Sequence, residues 1–350
     1  MACIINGIQQ IGIGVKDAKT VFNWYRQYLG FDILVFEDVA TASLMTKYTA
    51  DTAEERYAML ALNMVGGGGL EIWQFNNREP QPPLYAVQFG DLGINAMKVR
   101  TNDIEATHSR LKALDLELVT EVFDKTHFFF KDPWDNWVQV QAEAHTFSKT
   151  KCNSGGVLGA LIGVSDMNTS LGFYQELLGY TQVVSDSTGD FPDLSELPGG
   201  NKKFRRVLLK HDKRAIGGFG EFYGPSQIEL FQALDRTPNT VYKDRLWGDL
   251  GFIHLCFDIH GMDAMRKEAK NSGAPFTVDS AESFDMGNAA GRFGYMEDPD
   301  GTLIELVETH KVPILKRLGI SIDLKNRNPK KPLPKWLVGA MRIHRINSDL

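Results

Sequence analysis

The sequence has few of the features that mark secreted, membrane-spanning or disordered proteins. Its 350 residues include only three cysteines, Cys3, Cys152 and Cys256, and this odd number at wide spacing argues against a disulfide framework. No apolar run approaches the ~18–20 residues of a membrane helix, and the first residues lack the pattern of a signal peptide. The 33 glycines and 14 prolines show no period, which excludes a collagen-like chain. We therefore expect a globular cytoplasmic protein with no membrane partner.

Charge is unevenly distributed along the chain. The net charge is −6, but residues 311–350 carry +8 and the remainder carries −14. A basic segment could contact nucleic acid, yet Trp336, Val338 and Met341 give this one an apolar side. We expect the basic tail to pack on the acidic body, and we expect no nucleic-acid partner.

The two halves of the chain repeat each other. The matching segments are 17–31 with 166–180 at an offset of 149, 70–74 with 228–232 and 90–93 with 248–251 at 158, and 132–133 with 298–299 at 166. Offsets that grow along the chain indicate one ancestral unit with loop insertions. This predicts a first domain at 1–152, a second at 153–310, and a basic C-terminal tail at 311–350.

Each half divides again into two units with the order strand, helix, three strands. In the first unit, Val21, Phe22, Tyr25 and Leu29 recur at helical spacing, and Gly30 is suited to end that helix. Further helices are predicted at 104–114 and 262–271, and the glycine run 66–69 is predicted to be a hairpin turn. The pattern predicts an α+β fold: four βαβββ modules that form two curved mixed β-sheets with the helices outside.

Several segments resemble the vicinal oxygen chelate superfamily, which includes glyoxalase I, bleomycin resistance proteins and extradiol dioxygenases. They read GIQQIGIGVKD followed by FNWYRQYLGF, then GDLGFIHLCFDI, and then GYMEDPDGTLIELVE. The resemblance covers about residues 7–309 and leaves the tail outside. In a fused four-unit relative it implies one site between units one and four and a second between units two and three.

The same resemblance implies which residues hold a metal ion. At the family's ligand positions, units one and four supply Gln10, Glu71, His254 and Glu305, whereas units two and three supply Ala96, Gln139, Gly159 and Glu229. An imidazole, two carboxylates and an amide oxygen suit one divalent ion, and Zn, Ni, Fe, Co and Mn all accept such ligands. Ala96 and Gly159 cannot ligate, so the second site is expected to be metal-free. Glu229 is interpreted as structural, and His127 as a core histidine, with a place in the lining of the second site as the alternative.

The function implied by the resemblance is that of a metal-dependent isomerase, lyase or epimerase of glyoxalase type. It would remove a proton alpha to a carbonyl through a metal-stabilised enediolate, with Glu305 or Glu71 as general base and acid. The partner is a small-molecule substrate with vicinal oxygens, and the chain is expected to be a monomer or homodimer. Gly14 and Phe75 replace the groups that help to hold glutathione in glyoxalase I, which argues against glutathione as the thiol.

Two alternative functions remain open at this point. An extradiol ring-cleavage dioxygenase needs two histidines and one carboxylate, and Gly159 stands where its first histidine belongs. A non-catalytic binding protein of the bleomycin-resistance type would typically have lost its metal ligands, whereas one full set is present here. Replacing Glu305 should separate an enzyme, which loses turnover, from a binding protein.

Overall fold

The structure is a computed structural model that describes residues 3–211, 217–281, 284–286, 289–315, 320–325 and 327–346. Its strands are β1 (Ile4–Gly14), β2 (Ile33–Thr41), β3 (Glu55–Leu62), β4 (Gly69–Phe75), β5 (Gly93–Thr101), β6 (His127–Lys131), β7 (Trp137–Ala142), β8 (Ser154–Gly163), β9 (Gln182–Gly189), β10 (Phe204–Lys210), β11 (Gln227–Ala233), β12 (Gly251–His260), β13 (Val278–Asp279), β14 (Phe284–Met286), β15 (Ala289–Glu297), β16 (Leu303–Leu315) and β17 (Ile320–Asp323). Its helices are α1 (Ala18–Leu29), α2 (Ile104–Ala113), α3 (Met167–Gly172), α4 (Gly220–Tyr223), α5 (Met262–Asn271) and α6 (Lys335–Gly339).

The strands form two mixed sheets, and each sheet combines units from both halves of the chain. The first sheet has the order β13-β15-β16-β12-β1-β4-β3-β2, with β14 and β17 at its side, and joins unit one to unit four. The second sheet has the order β6-β7-β5-β8-β11-β10-β9 and joins unit two to unit three. Antiparallel pairs β1–β12 and β5–β8 make the two junctions. The predicted α+β fold of four modules in two curved sheets is confirmed.

A repeated tyrosine–aspartate bond explains part of the internal sequence match. The Tyr25 hydroxyl of α1 donates to Asp132 at 2.6 Å, and its counterpart Tyr174 donates to Asp298 at 2.9 Å. All four side chains are buried. In each half, the helix of the first unit is thereby attached to the Asp-Pro turn of the second unit. The repeated Asp-Pro motif thus has a structural role.

The glycine run after β3 is a hairpin turn, as predicted, and it also holds the two sheets together. Gly68 and Val157 exchange two backbone hydrogen bonds of 2.8 Å across the sheets. A Cβ at Gly67 would lie 2.7 Å from the carbonyl carbon of Gly156, and Gly67 has a φ of +119°. Only glycine combines that backbone conformation with so close an approach.

The helices follow the sequence pattern closely. Asp17 caps α1 by accepting hydrogen bonds from Lys19 and Thr20, and Gly30 ends it with a left-handed φ of 75°. Helix α2 ends one residue before the predicted boundary, and α5 has the predicted bounds. In the third unit the helical segment has two parts, because α3 ends at Gly172 and residues 173–177 form a π-helical turn.

The C-terminal segment begins as part of the first sheet. Strand β16 continues to residue 315, so it runs past the predicted domain boundary at 310. Farther along, Leu333 and Val338 are buried against a cluster that includes Phe147 and Phe222. Trp336, which was expected to help bury this segment, is 74% exposed. Among the described residues, no helix combines the length and the apolar character needed to span a membrane.

Candidate metal centre

Four adjacent strands of the first sheet each contribute one of the predicted ligand residues. Gln10 lies on β1, Glu71 on β4, His254 on β12 and Glu305 on β16, and the strand order is β16-β12-β1-β4. Neighbouring strands lie about 4.8 Å apart, and residues two apart along a strand share a face. The structure therefore brings together four side chains that are up to 295 positions apart in the sequence.

The four side chains form a compact and buried group. His254 Nε2 lies 3.1 Å from Glu71 Oε2 and 3.1 Å from Glu305 Oε2. Gln10 Nε2 donates to Glu71 at 3.0 Å and lies 3.4 Å from Glu305. The histidine has no exposed surface, and the carboxylates and the amide are 4–7% exposed. The imidazole nitrogen and the two carboxylate oxygens all lie within 4.8 Å of one another.

The imidazole nitrogen at the centre of this group lacks a hydrogen bond of acceptable geometry. Although two carboxylate oxygens lie 3.1 Å from His254 Nε2, neither is placed to accept its proton. Leaving a buried polar atom without a partner costs free energy. A cation bound between the deprotonated Nε2 and the two carboxylates would give all three groups a partner. Turning the Gln10 amide about its last bond would present its oxygen to the same point. The donor set fits a divalent ion of borderline character.

Electrostatic interactions within this group shift the pKa values of His254 and Glu71. Burial by itself lowers the pKa of His254, but Glu305 and Glu71 outweigh it and raise that pKa to about 9. Burial raises the pKa of Glu71, yet the contact with His254 and the nearby Arg56 produce a net downward shift of that pKa. Two carboxylates therefore face a single imidazolium in the absence of a metal ion, and this excess of negative charge favours a bound cation.

Gly12 provides the space that the histidine ring occupies. It pairs with His254 across the β1–β12 junction, and a Cβ at this position would lie 2.5 Å from the ring carbon Cε1. Any larger residue would displace the imidazole. The glycine that follows Gln10 on the same face is thus required for the position of His254.

The equivalent place in the second sheet holds an ion-pair network. Lys98 Nζ lies 2.6 Å from Glu229 Oε2, and Arg206 Nε lies 2.6 Å from Glu229 Oε1. Arg206 also contacts Asp193 at 2.7 Å, and His127 lies 3.1 Å from the same carboxylate. These side chains are buried or nearly so. Glu229 and His127 are therefore joined in one network, so His127 lies at the second site, which was the alternative to its interpretation as a core histidine.

The other three residues at the family's ligand positions in the second sheet, Ala96, Gln139 and Gly159, do not form a group like that of the first sheet. Ala96 is fully buried in an apolar cluster, and a Cβ at Gly159 would lie 1.8 Å from the carbonyl oxygen of Gln227. Gln139 is fully buried, and its amide makes no hydrogen bond. Within the described residues, only the Glu71–His254–Glu305 group brings together three such ligand atoms.

A cavity of about 460 Å³ opens beside the ligand group, with Gln10, Glu71 and Glu305 in its lining. Most of the other lining residues are apolar or aromatic: Ile33, Val35, Phe36, Leu60, Leu62, Trp73, Phe219, Phe222, Tyr223, Trp247, Phe293, Tyr295, Val307 and Met341. A volume of this size and character is typical of a small-molecule site.

Arg56 and Tyr295 are among the polar residues of this cavity that sequence reasoning missed. Arg56 stacks over the Trp73 ring at 5.1 Å and is paired with Asp38 at 3.1 Å. The Tyr295 hydroxyl lies 3.5 Å from His254 Nδ1. A signal for Tyr295 existed, because a hairpin centred on the turn at 298–301 places it directly opposite Glu305. Arg56 had none, since its contact depends on the packing of two side chains.

The chain matches the sequence profile of the Glyoxalase/Bleomycin resistance protein/Dioxygenase superfamily over residues 7–140 and 156–306. The chain belongs to this superfamily. The two matched segments correspond to the two halves of the repeat. No curated protein sequence matches the chain significantly.

Solved structures share the fold at low sequence identity. A candidate dioxygenase from Bacillus subtilis superposes with a TM-score of 0.58 and 14% identity, and the match covers 87% of this chain and 86% of that one. Glyoxalase I from Zea mays superposes with a TM-score of 0.53 and 12% identity over 88% of this chain and 92% of that one. At these identities the likeness establishes the fold alone.

Proposed function

We propose that the protein is a metal-dependent isomerase, lyase or epimerase that moves a proton next to a carbonyl group. The observation that carries this proposal is a buried cluster beside a cavity, formed by Gln10, Glu71, His254 and Glu305. In this cluster the imidazole nitrogen Nε2 lacks a hydrogen bond. These four residues would hold one divalent ion. When bound, the ion supplies a Lewis acid for two neighbouring oxygens of a substrate.

The protein's own groups would perform the remaining tasks. Glu305 or Glu71 would take the proton from the carbon and return it, since both carboxylates border the cavity. The apolar walls would exclude water and so strengthen the charge interactions at the reacting end. Tyr295, opposite Glu305, would orient the ring of His254 through Nδ1.

The cavity supports a substrate other than a glutathione adduct. Its two lining arginines are already paired, Arg56 with Asp38 at 3.1 Å and Arg292 with Asp263 at 3.0 Å. A peptide with several carboxylates would find few unpaired cations there. A hydroxy-ketone or cyclitol with an apolar body suits these walls better.

Metal analysis tests the ligand assignment directly. The purified protein should take up about one equivalent of a divalent ion after removal of bound metal, and His254→Ala should abolish that uptake. His127→Ala is the matched control, because it removes a buried histidine beside a carboxylate in the second sheet. Uptake below about half an equivalent, or uptake that survives His254→Ala, would contradict the proposal.

Proton exchange tests the chemistry. The loaded protein should promote deuterium incorporation next to the carbonyl of a hydroxy-ketone such as dihydroxyacetone, as followed by NMR, and Glu305→Gln or Glu71→Gln should remove most of this exchange. Metal uptake without any exchange, together with oxygen consumption on a catechol, would instead favour the dioxygenase alternative. Ligand binding with neither reaction would favour a binding protein.

A further inference from the structure

The cavity extends away from the ligand group and ends against the C-terminal segment. We use the name tail wall for residues 333–346. Met341 and His344 of the tail wall line the same cavity as Glu71 and Glu305. The superfamily match ends at residue 306, so this part of the cavity is built by a segment outside the family's shared fold.

The tail wall is fixed to the body at both of its ends. Leu333 and Val338 are buried in a cluster with Leu62 and Phe222. At the other end, the Ile346 amide donates to the Asp32 carbonyl at 2.9 Å, and Arg345 Nε lies 2.9 Å from an Asp32 carboxylate oxygen. The segment therefore lies against the start of β2 as a fixed wall.

Sheet geometry gives the length of the space between the ligand group and the tail wall. Glu71 lies on β4, whereas the tail wall contacts the start of β2, and the strand order is β4-β3-β2. Glu71 lies opposite Phe36 across two strand spacings of about 4.8 Å, and the tail wall contacts β2 three residues earlier, about 10 Å along the strand, so these ends lie roughly 14 Å apart. Between them, β2 and β3 contribute Val35, Leu60 and Leu62 to the cavity.

We infer that the ligand of this cavity is elongated, with two neighbouring oxygens at one end and an apolar body that reaches Met341, and that the tail wall limits its length. The placement of the oxygens rests on the proposed function. The role of the tail wall does not, because it depends only on the shape and the apolar lining of the cavity. Met341 is thus assigned as a residue that determines specificity.

A series of alkyl hydroxamates of increasing length tests this assignment, since the head group presents two neighbouring oxygens. Acetohydroxamate, hexanohydroxamate and decanohydroxamate would be titrated calorimetrically into zinc-loaded and metal-free protein. Affinity should rise by up to about fourfold per buried methylene. Met341→Trp should lower the affinity for decanohydroxamate by at least about tenfold and leave the affinity for acetohydroxamate unchanged. Met341→Ala should still bind all three compounds and should not raise the affinity for the short ones.

Ile343→Trp is the matched control, because Ile343 lies in the same short helical turn but is 64% exposed. If Met341→Trp and Ile343→Trp give the same chain-length profile while zinc is taken up, the tail-wall inference is wrong and the proposed function stands. If zinc is not taken up, but Met341→Trp lowers the chain length at which affinity stops rising in metal-free protein, the proposed function fails and the inference stands. Should Met341→Trp not fold, Met341→Ala is titrated with hydroxamates longer than decanohydroxamate. If Met341→Ala binds these longer compounds no more tightly than the wild type does, the inference is overturned.

Discussion

In the two sheets, equivalent carboxylates have opposite surroundings. Glu71 in the first sheet faces the imidazole of His254 and a second carboxylate, whereas its counterpart Glu229 faces the ammonium of Lys98 and the guanidinium of Arg206. Both glutamates are buried on the last strand of a repeat unit. The fold thus fixes where the carboxylate lies, and its neighbours decide whether a metal ion is favoured there.

Charge balance gives the physical reason for the difference. In the second sheet, Lys98 and Arg206 balance the carboxylates of Glu229 and Asp193, so no net negative charge is left to attract a metal ion. At the repeat offset of 158, Lys98 corresponds to Cys256, which carries no positive charge. Two positions after the predicted ligand position, Lys98 therefore adds a buried positive charge that the first site lacks at Cys256.

Removing the buried ammonium should give the largest effect. Lys98→Met leaves Glu229 and Asp193 with a single guanidinium in a buried place, and we expect a loss of about 3–5 kcal/mol in the free energy of unfolding, measured by urea denaturation. Lys131→Met in the same sheet is the control, since Lys131 is paired with Asp135 at the surface and its loss should cost less than about 1 kcal/mol. Equal losses in the two variants would show that the network does not stabilise the second sheet.

The stabilising effects of the two clusters, around His254 and around Glu229, should depend on pH in opposite directions. In the first sheet, stability should fall as pH rises. In metal-free protein the pKa of His254 is about 9, above the ordinary 6.5. The stability that the protonated imidazole gives to the fold is therefore complete below pH 6.5 and is lost as pH rises to about 9. The loss should reach at most about 3 kcal/mol. The difference in unfolding free energy between wild type and His254→Gln, measured from pH 6 to 10, should show this slope. A difference that does not change with pH would contradict it.

The second sheet should lose stability in acid instead. Burial by itself raises the pKa of Glu229, but Arg206 and Lys98 outweigh it and lower that pKa to about 2. A carboxylate with a lowered pKa stabilises the fold above its ordinary value of 4.5, and that contribution is lost as pH falls toward 2. The stability difference between wild type and Glu229→Gln should therefore shrink over this acidic range and stay constant from pH 6 to 9.

The smallest expected effect concerns the orientation of the histidine ring. Tyr295→Phe removes a hydroxyl 3.5 Å from His254 Nδ1 and should weaken metal affinity by about tenfold or less. Tyr25→Phe is the control, because it removes the 2.6 Å bond to Asp132 and should lower stability without changing metal affinity. A chelator competition titration measures both affinities. Equal affinity in wild type and Tyr295→Phe would show that the hydroxyl does not position the ring.

Local features of the fold could be predicted from the sequence because their causes are local. Asp17 and Gly30 bound helix α1 as their chemistry requires, and the Asp-Pro turns recur where the repeat places them. The pairing of unit one with unit four came only from the resemblance to a family. Strands β1 and β12 are about 245 residues apart, and no pattern of apolar residues within either strand specifies its partner.

By itself, the sequence determined four repeated units, the helix ends and an uneven charge. These follow from residue spacing and from backbone preferences that act over a few residues, whereas the four ligand residues were implied only by the resemblance to a family. Only the tertiary structure decided that Lys98 reaches Glu229, that Arg56 stacks on Trp73, and that the tail wall closes the cavity. Each of these depends on how side chains from distant strands pack together, and packing distances are not encoded in local spacing.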